Sequence, residues 1–465
     1  MKLYNTLTGK KENLPAPGDK GLNMFVCGPT VYDYSHIGHA RTYVFFDALV
    51  KFLRRRLGLK VNYLQNITDI DDRIINRAKE SNKIPQEIAQ EFTAAYRADM
   101  ADLAIDGVSA YAAATDYLPE IISQVERLIK KGLAYAAKGS STALGASSVY
   151  FDVRKFPDYG RLSRQKLSEL KEGVRVETEP GKKYFADFAL WKASKPDEPK
   201  WNSPWGEGRP GWHIEDTAIT EKNFGPRYHV HGGGMDLIFP HHEAEIAQME
   251  SISGLKPLAK IWLHTGFLLV NGEKMSKSLR NFITIRDFLK EHAATTLRYM
   301  VLSNHYRAPF DYTEKTASMA RSSVQRLADF TARLETVKDQ ASQFPLDDFT
   351  KSFWDNLADD FNTPQAWANM FDLVKEANKF MDNHSLSMVD AQKIIDFVKE
   401  VNDIFNILPQ QEPAPAEIMA LAAEREKARV AHDFAGADEI REQIKKLGWE
   451  IDDTPQGPRI SKIKN

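Results

Sequence analysis

The spacing of apolar residues changes three times between Met24 and Leu103. Met24-Phe25-Val26 is an unbroken apolar run suited to a buried strand, Thr42 to Leu57 is apolar at helical spacing, and Val61-Asn62-Tyr63-Leu64-Gln65 reads as a strand again. Helical spacing then covers Asp69 to Asn82 and Gln86 to Leu103. Strand, helix, strand in that order predicts a right-handed parallel crossover, hence half of a nucleotide-binding α/β sheet.

The pattern downstream is less regular. A helix is predicted over Leu118 to Lys131, a flexible loop over the small and polar stretch Lys138 to Ser148, and a strand over Val149 to Val153. A Pro, Gly and Trp-rich segment, Ser194 to Trp212, precedes a strand at Arg227 to His231, a turn at Gly232-Gly233-Gly234 and a helix from His241 to Ile252. Ile261 to His264 and Phe267 to Val270 read as strands, and Asn271-Gly272 has the chemistry of a hairpin turn. Beyond Ile285 no strand pattern persists until the end. Helices are predicted over Ala293 to Asn304, Glu314 to Val337, Asp347 to Asp360, Pro364 to Asn383 and Val389 to Ile404, with Thr363-Pro364 as cap and first helical position. A Pro-rich linker, Leu408 to Pro415, leads to a charged helix pair, Ala416 to His432 and Ala435 to Leu447, then Trp449-Glu450-Ile451 and a basic tail.

Composition narrows the class. A chain of 465 residues holds two to four domains, and its net charge of -2 excludes a generally basic nucleic-acid binder while leaving room for a local basic stripe. Lys51, Arg54, Arg55, Arg56 and Lys60 form one candidate stripe, or else a solvated helix face. No apolar stretch nears the ~20 residues of a membrane span and no secretory pattern opens the chain, so a cytoplasmic location is expected. One cysteine, Cys27, excludes an internal disulfide and any metal site of several thiolates. It is either a small buried hydrophobe or one ligand in a mixed site.

The chemistry concentrates on the turn after the first strand, Cys27-Gly28-Pro29-Thr30-Val31-Tyr32-Asp33-Tyr34-Ser35-His36-Ile37-Gly38-His39. Open α/β sheets hold ligands at such turns, and a helix start favours phosphate. His36 and His39 share a face of the first helical turn, with Gly38 between them leaving space for a ligand. Asp69, Asp71 and Asp72 suit an acid-rich helix start better than a metal cluster. Far downstream stands Lys274-Met275-Ser276-Lys277-Ser278. The two blocks together resemble the HIGH and KMSKS motifs of class I aminoacyl-tRNA synthetases. Cys27, Asn66 to Asp72, Gly208 to Glu215 and His231 to Gly234 are similar to the cysteine-specific branch of that family.

The resemblance, which runs from about Leu3 to the last ten residues, implies a Rossmann-like parallel sheet whose halves lie at residues 1–120 and 201–285, with a connective insertion at 121–200. It implies a stem-contact helical bundle at 286–408 and a small anticodon-binding module at 416–465. The implied reaction joins L-cysteine to ATP, with Mg2+, as an adenylate and transfers the acyl group to tRNA-Cys; a monomer is expected. His36, His39, Lys274 and Lys277 are the implied catalytic residues. Gly38, Gly234, Asp236 and Lys277 are placed by resemblance at ATP, and Thr68 and Trp212 at the cysteine side chain.

The family's zinc ligands map onto Cys27, Asp216, His241 and Glu245. Position 216 is usually a second cysteine in the family, and the aspartate here makes the expected Zn2+ site harder with the same formal charge. His213, His229, His231 and His242 crowd the same region, and most of them are expected to hydrogen-bond around the ion and substrate instead of binding the ion directly. Two other readings remain at this point: a cysteine ligase acting on a small amine, as in mycothiol synthesis, and a catalytically silent tRNA-binding paralogue.

Overall fold

A computed structural model describes residues 1–138, 146–169, 181–275, 281–338, 343–408, 414–454 and 457–462. The chain opens with a hairpin, β1 (Lys2–Asn5) and β2 (Lys10–Asn13), and enters the central sheet through β3 (Leu22–Val26). Helix α1 (Ile37–Lys51) leads to β4 (Val61–Ile67), and α2 (Asp72–Ser81) and α3 (Pro85–Asp102) lead to β5 (Ala110–Ala113). Asp71 caps α2 through its side chain, and Pro85 begins α3 where its missing N–H costs nothing.

Helix α4 (Leu118–Lys130) then opens an inserted antiparallel sheet of β6 (Ala134–Lys138), β7 (Ser147–Phe151), β8 (Phe188–Ala193) and β9 (Gly208–Pro210). The loop expected over Lys138 to Ser148 ends in strand residues on both sides, and its centre lies outside the described residues. Helix α5 (Trp212–Phe224) returns the chain to the central sheet, whose remaining strands are β10 (Tyr228–Gly234) and β11 (Ala259–Thr265), joined by α6 (Glu243–Ser253). The order is β11-β10-β3-β4-β5, all parallel. Successive residues of β3 face opposite cores: Met24 and Val26 pack with α1, while Phe25 and then Cys27 pack with α5 and α6.

Gly232, Gly233 and Gly234 do not form the expected turn. They extend β10 and pair with Leu263, His264 and Thr265. The reason is packing: a Cβ on Gly232 would collide with the ring of Phe46 on α1. The Asn271-Gly272 turn is as expected, with positive φ at both residues (53° and 80°), and joins β12 (Leu268–Val270) to β13 (Glu273–Lys274).

Two helices follow, α7 (Ile285–Glu291) and α8 (Ala294–Leu302), and then a strand that the sequence pattern does not announce. This strand, β14 (Phe310–Tyr312), is three residues long and pairs parallel with β12. The helices α9 (Glu314–Leu334), α10 (Leu346–Ala358), α11 (Thr363–Asp382) and α12 (Met388–Phe405) complete a bundle. Asn362, not Thr363, caps α11 through its side chain. The bundle's core is continuous with the α1 side of the sheet.

The basic run after α1 is used internally. Buried Lys51 pairs with Asp47 and Asp106, Arg54 donates to the carbonyls of Val61 and Gly107, and Arg55 and Arg56 pair with Asp403 and Glu400 on α12. The three early aspartates also have protein partners: Asp69 accepts from Thr115, Asp71 from Arg73, and Asp72 from Lys192 and Arg209.

A final unit has its own small core of Ile418, Ala422, Ile444, Trp449 and Ile451. It comprises α13 (Ala416–Val430), α14 (Phe434–Lys446), β15 (Trp449–Thr454) and β16 (Gly457–Lys462). The expected basic tail therefore supplies a hairpin strand. Most of the expected linker, residues 409–413, lies outside the described residues. Among those described, no helix is long and apolar enough to cross a membrane.

Candidate active site and metal centre

The chain leaves β3 toward β4 on one side and meets β10 on the other, so the carboxyl ends of β3 and β10 flank a topological switch point. Cys27 sits there, its N–H donating to the Gly232 carbonyl at 3.0 Å. The Gly28 N–H donates to Asn66 Oδ1 at 2.6 Å, and a Cβ at Gly28 would run into the Asn66 backbone carbonyl. That glycine is required by close approach of two strand ends.

Around Cys27 the side chains of α5 and α6 converge. Cys27 Sγ lies 3.2 Å from Asp216 Oδ2 and 3.1 Å from His242 Nε2, and His241 Nε2 lies 3.0 Å from Asp216 Oδ2 and 3.4 Å from Glu245 Oε1. The ligand atoms of Cys27, His241, His242 and Glu245 all fall within 4.8 Å of one another. Asp216 and Glu245 are 0% exposed, yet Asp216 Oδ1 and both Glu245 oxygens accept no hydrogen bond. Buried carboxylate oxygens without donors are costly, and a cation is the group that would satisfy them. The residues present therefore fit a metal ion.

Without a cation the cluster holds its protons. Burial, helped by the charges of Asp216 and Glu245, pushes the Cys27 thiol well above its usual range. Burial and Asp216 likewise push Glu245 and Glu215 well up. Burial lowers the imidazoles: His213, His231 and His242 fall well below the ordinary range, and His264 is pushed down to about 3. The rings are neutral donors and acceptors.

Outer rings hold the inner ones. His241 Nδ1 contacts His213 Nδ1 at 2.8 Å, and His242 Nδ1 contacts His264 Nε2 at 2.8 Å. His231 stands farther back, 3.6 Å from Cys27 Sγ, with its Nδ1 at 2.6 Å from the Tyr228 hydroxyl. His229 is elsewhere, accepting from the Asn23 N–H.

Thr68, buried at the end of β4, donates its hydroxyl proton to Glu215, which also accepts from Asn66 Nδ2. Trp212 stacks on His241, ring centroids 4.2 Å apart. Thr68 and Trp212 thus border the same region as the four mapped ligands. The sequence reading assigned no role to Glu215, although it stands directly beside Asp216; its link to Thr68 crosses 147 positions and has no local signal. It did not count His242 among the mapped ligands, and the structure places its Nε2 among the converging donor atoms.

The histidine block lies at the start of α1. His36 is the N-cap: its Nδ1 accepts from the N–H groups of Gly38 and His39, while its own N–H donates to His39 Nδ1. The rings stack with centroids 3.8 Å apart. Both Nδ1 atoms are acceptors, so each neutral ring carries its proton on Nε2. Burial, with His36 and Arg73 nearby, lowers His39 well below the ordinary range. A Cβ on Gly38 would meet the Met275 side chain at 3.4 Å, so the lysine block stands over the histidine block. Lys274 is exposed at the end of β13; Lys277 lies outside the described residues. Gly234 ends β10 beside the exposed side chain of Asp236.

Residues 15–322 match the family model for the class I (C) tRNA synthetase catalytic domain, and residues 352–409 that of the DALR domain. The chain is 46% identical to the cysteine–tRNA ligase of Thermoplasma acidophilum, over 97% of this chain and 98% of that one. It is 42% identical to the enzyme of the same name from Thermococcus onnurineus, over 98% of each. Its fold is similar to a leucyl-tRNA synthetase from Agrobacterium radiobacter (TM-score 0.60, 12% identity, 84% of each chain). A methionyl-tRNA synthetase from Mycobacterium tuberculosis is also similar (TM-score 0.58, 14% identity, 83% of this chain and 89% of that one).

Proposed function

The chain belongs to the cysteine–tRNA ligases of the class I aminoacyl-tRNA synthetases, and from that membership we propose how its side chains divide the work of charging tRNA-Cys. Cys27, Asp216, His241 and Glu245 hold one Zn2+. When bound, the ion supplies a centre that takes a thiolate strongly and a neutral serine hydroxyl poorly. A pocket selecting by shape alone separates such look-alikes by only about 10²-fold. The observation that carries this reading is the set of buried, donorless oxygens on Asp216 and Glu245 beside the single thiol.

Thr68 and Trp212 form the walls around the amino acid. Because the Thr68 hydroxyl proton is directed to Glu215, its oxygen faces the pocket as an acceptor, suited to the substrate ammonium. Adenylate formation needs no protein nucleophile: a substrate carboxylate oxygen attacks the α-phosphorus and pyrophosphate leaves. What the chain supplies is alignment and positive potential. His36 and His39 offer Nε2–H donors to the phosphate oxygens, and Lys274, at the end of β13, and Lys277 bring positive charge. Gly38 gives the triphosphate and its Mg2+ access to the backbone, and Gly234 and Asp236 receive the adenosine. A ribose hydroxyl of the tRNA end then attacks the acyl carbon and AMP departs.

The sheet halves at 1–120 and 201–285 and the insertion at 121–200 make the catalytic unit. The regions 286–408 and 416–465 contact the tRNA stem and anticodon, in a cytoplasmic monomer. The test is cysteine-dependent exchange of pyrophosphate into ATP, followed by charging of tRNA-Cys, on the natural protein and on Asp216→Cys. Activity is expected in both, with tighter zinc retention in the variant. Exchange without tRNA charging would point to a small-amine acceptor, and zinc-loaded protein without exchange would refute the reading. Less than about a tenth of an equivalent of zinc after mild purification would remove the metal.

A further inference from the structure

We propose that His242 is a direct ligand of the ion, which thereby binds two imidazoles from adjacent positions of the chain. This rests on the metal reading above and extends it. Bonds of about 2.0 Å to nitrogen or oxygen and about 2.3 Å to sulfur, at tetrahedral angles, set neighbouring donor atoms about 3.3–3.5 Å apart. His242 Nε2 is 3.1 Å from Cys27 Sγ and 4.0 Å from Glu245 Oε1, and His241 Nε2 is 3.4 Å from that same oxygen. One ion between them reaches all four with small side-chain adjustments, with the buried Asp216 carboxylate, 3.2 Å from the sulfur, as a fifth donor that the substrate thiolate can displace.

Two neighbouring residues of a regular helix point about 100° apart and do not usually share an ion. Here they stand at the end of a wide five-residue turn, Ile238–His242, in which Phe239 is extended (φ -132°, ψ 131°) before α6 begins.

The wiring behind the rings makes the same point independently. A metal-bound histidine has its second nitrogen held by an outer partner that fixes the tautomer. His241 has His213 in that position, and His242 has His264, whose Nδ1 in turn lies 2.8 Å from the Thr6 hydroxyl. A proton on His242 Nδ1 is accepted by His264 Nε2, and the proton on His264 Nδ1 by Thr6. His242 Nε2 is left with its lone pair aimed at the cluster. His231 has an outer partner too, Tyr228 at its Nδ1, but its Nε2 stands back at 3.6 Å from the sulfur against 3.1 Å for His242, and it falls outside the group of converging donors. A second imidazole suits zinc, which a set of one sulfur and two carboxylates serves less well.

X-ray absorption at the zinc edge, on full-length protein loaded with one equivalent, counts imidazoles through their multiple scattering. Two are expected, and the His242→Gln variant should show one and lose zinc to a competing chelator at least about tenfold more readily. One imidazole in the natural protein overturns the assignment and leaves the zinc reading intact. An unchanged imidazole count in a folded His242→Gln protein overturns it equally. Protein that takes up no zinc at all fails both. The count on the natural protein needs no variant, so it decides the matter even where the substitution misfolds.

Discussion

Removing the ion should make the protein's stability fall as pH rises, and restoring it should reverse that trend. In metal-free protein the Cys27 thiol and the Glu245 and Glu215 carboxyls all have raised pKa values, through burial first and the neighbouring acids second. The groups facing Cys27 are Asp216 on α5, Glu245 on α6, His242 in the turn just before α6, and His231 on β10. A raised folded-state pKa gives stability that is complete below the unfolded value, about 4.3 for glutamate, and is lost as pH rises through the folded value. With zinc bound, Cys27 and Glu245 are held deprotonated: the thiolate then contributes stability that rises with pH up to the unfolded value of about 8.5, and Glu245 no longer loses any in this range. Each proton displaced widens the gap between loaded and metal-free protein by about 1.4 kcal/mol per pH unit. From pH 5.5 to 7.5 that is about 2.7 kcal/mol for one proton and about 5.5 for two. Melting curves with zinc or with chelator across this range measure the gap, and calorimetry in buffers of different ionisation enthalpy counts the protons. A gap constant to within about 0.5 kcal/mol would mean that no proton leaves on binding, and neither the thiol nor Glu245 would be a ligand.

Other consequences are as definite. Arg298→Met should destabilise by about 3–5 kcal/mol in denaturant titration, because it leaves Asp47 buried without its guanidinium and strands the carbonyls of Leu103 and Phe405; a loss under about 1 kcal/mol would show the pair to be dispensable. Gly28→Ala should lower pyrophosphate exchange by about 10²-fold in a protein that still folds, since the new methyl displaces the β4 end that carries Asn66 and Thr68. Normal exchange in that variant would mean the strand ends are not held in register. Nitrogen NMR of His39 should report a neutral ring throughout pH 6 to 8, following its burial, and an imidazolium signal near pH 6.5 would contradict the acceptor role of its Nδ1 toward the His36 N–H.

Much of the fold was readable because its signals are local. The first strand and the helix after it, the Asn271-Gly272 hairpin and the later helices each follow from spacing, caps and turn residues within a few positions. The errors arise where distant chain decides. Gly232 to Gly234 read as a turn by residue type, but the Phe46 ring, far away in sequence, makes glycine necessary in a strand. The basic run after α1 read as a candidate stripe because its partners, Glu400 and Asp403, are more than 340 residues on. Three-residue β14 is too short to show a period. At the site, Cys27, Asp216, His241 and Glu245 were named from motif order and do converge. His242 was placed in the same region but not singled out, because an ordinary helix start would turn it away from its neighbour's direction.

Helix α1 spans fifteen residues, about 22 Å of rise, and is fastened at both ends. Its first turn carries the stacked histidines, and its last turns carry Asp47 and Lys51, locked to Arg298 of α8. It acts as a stiff lever whose far end is bolted into the bundle. A displacement of those helices would be carried along its length to the stacked rings at its start.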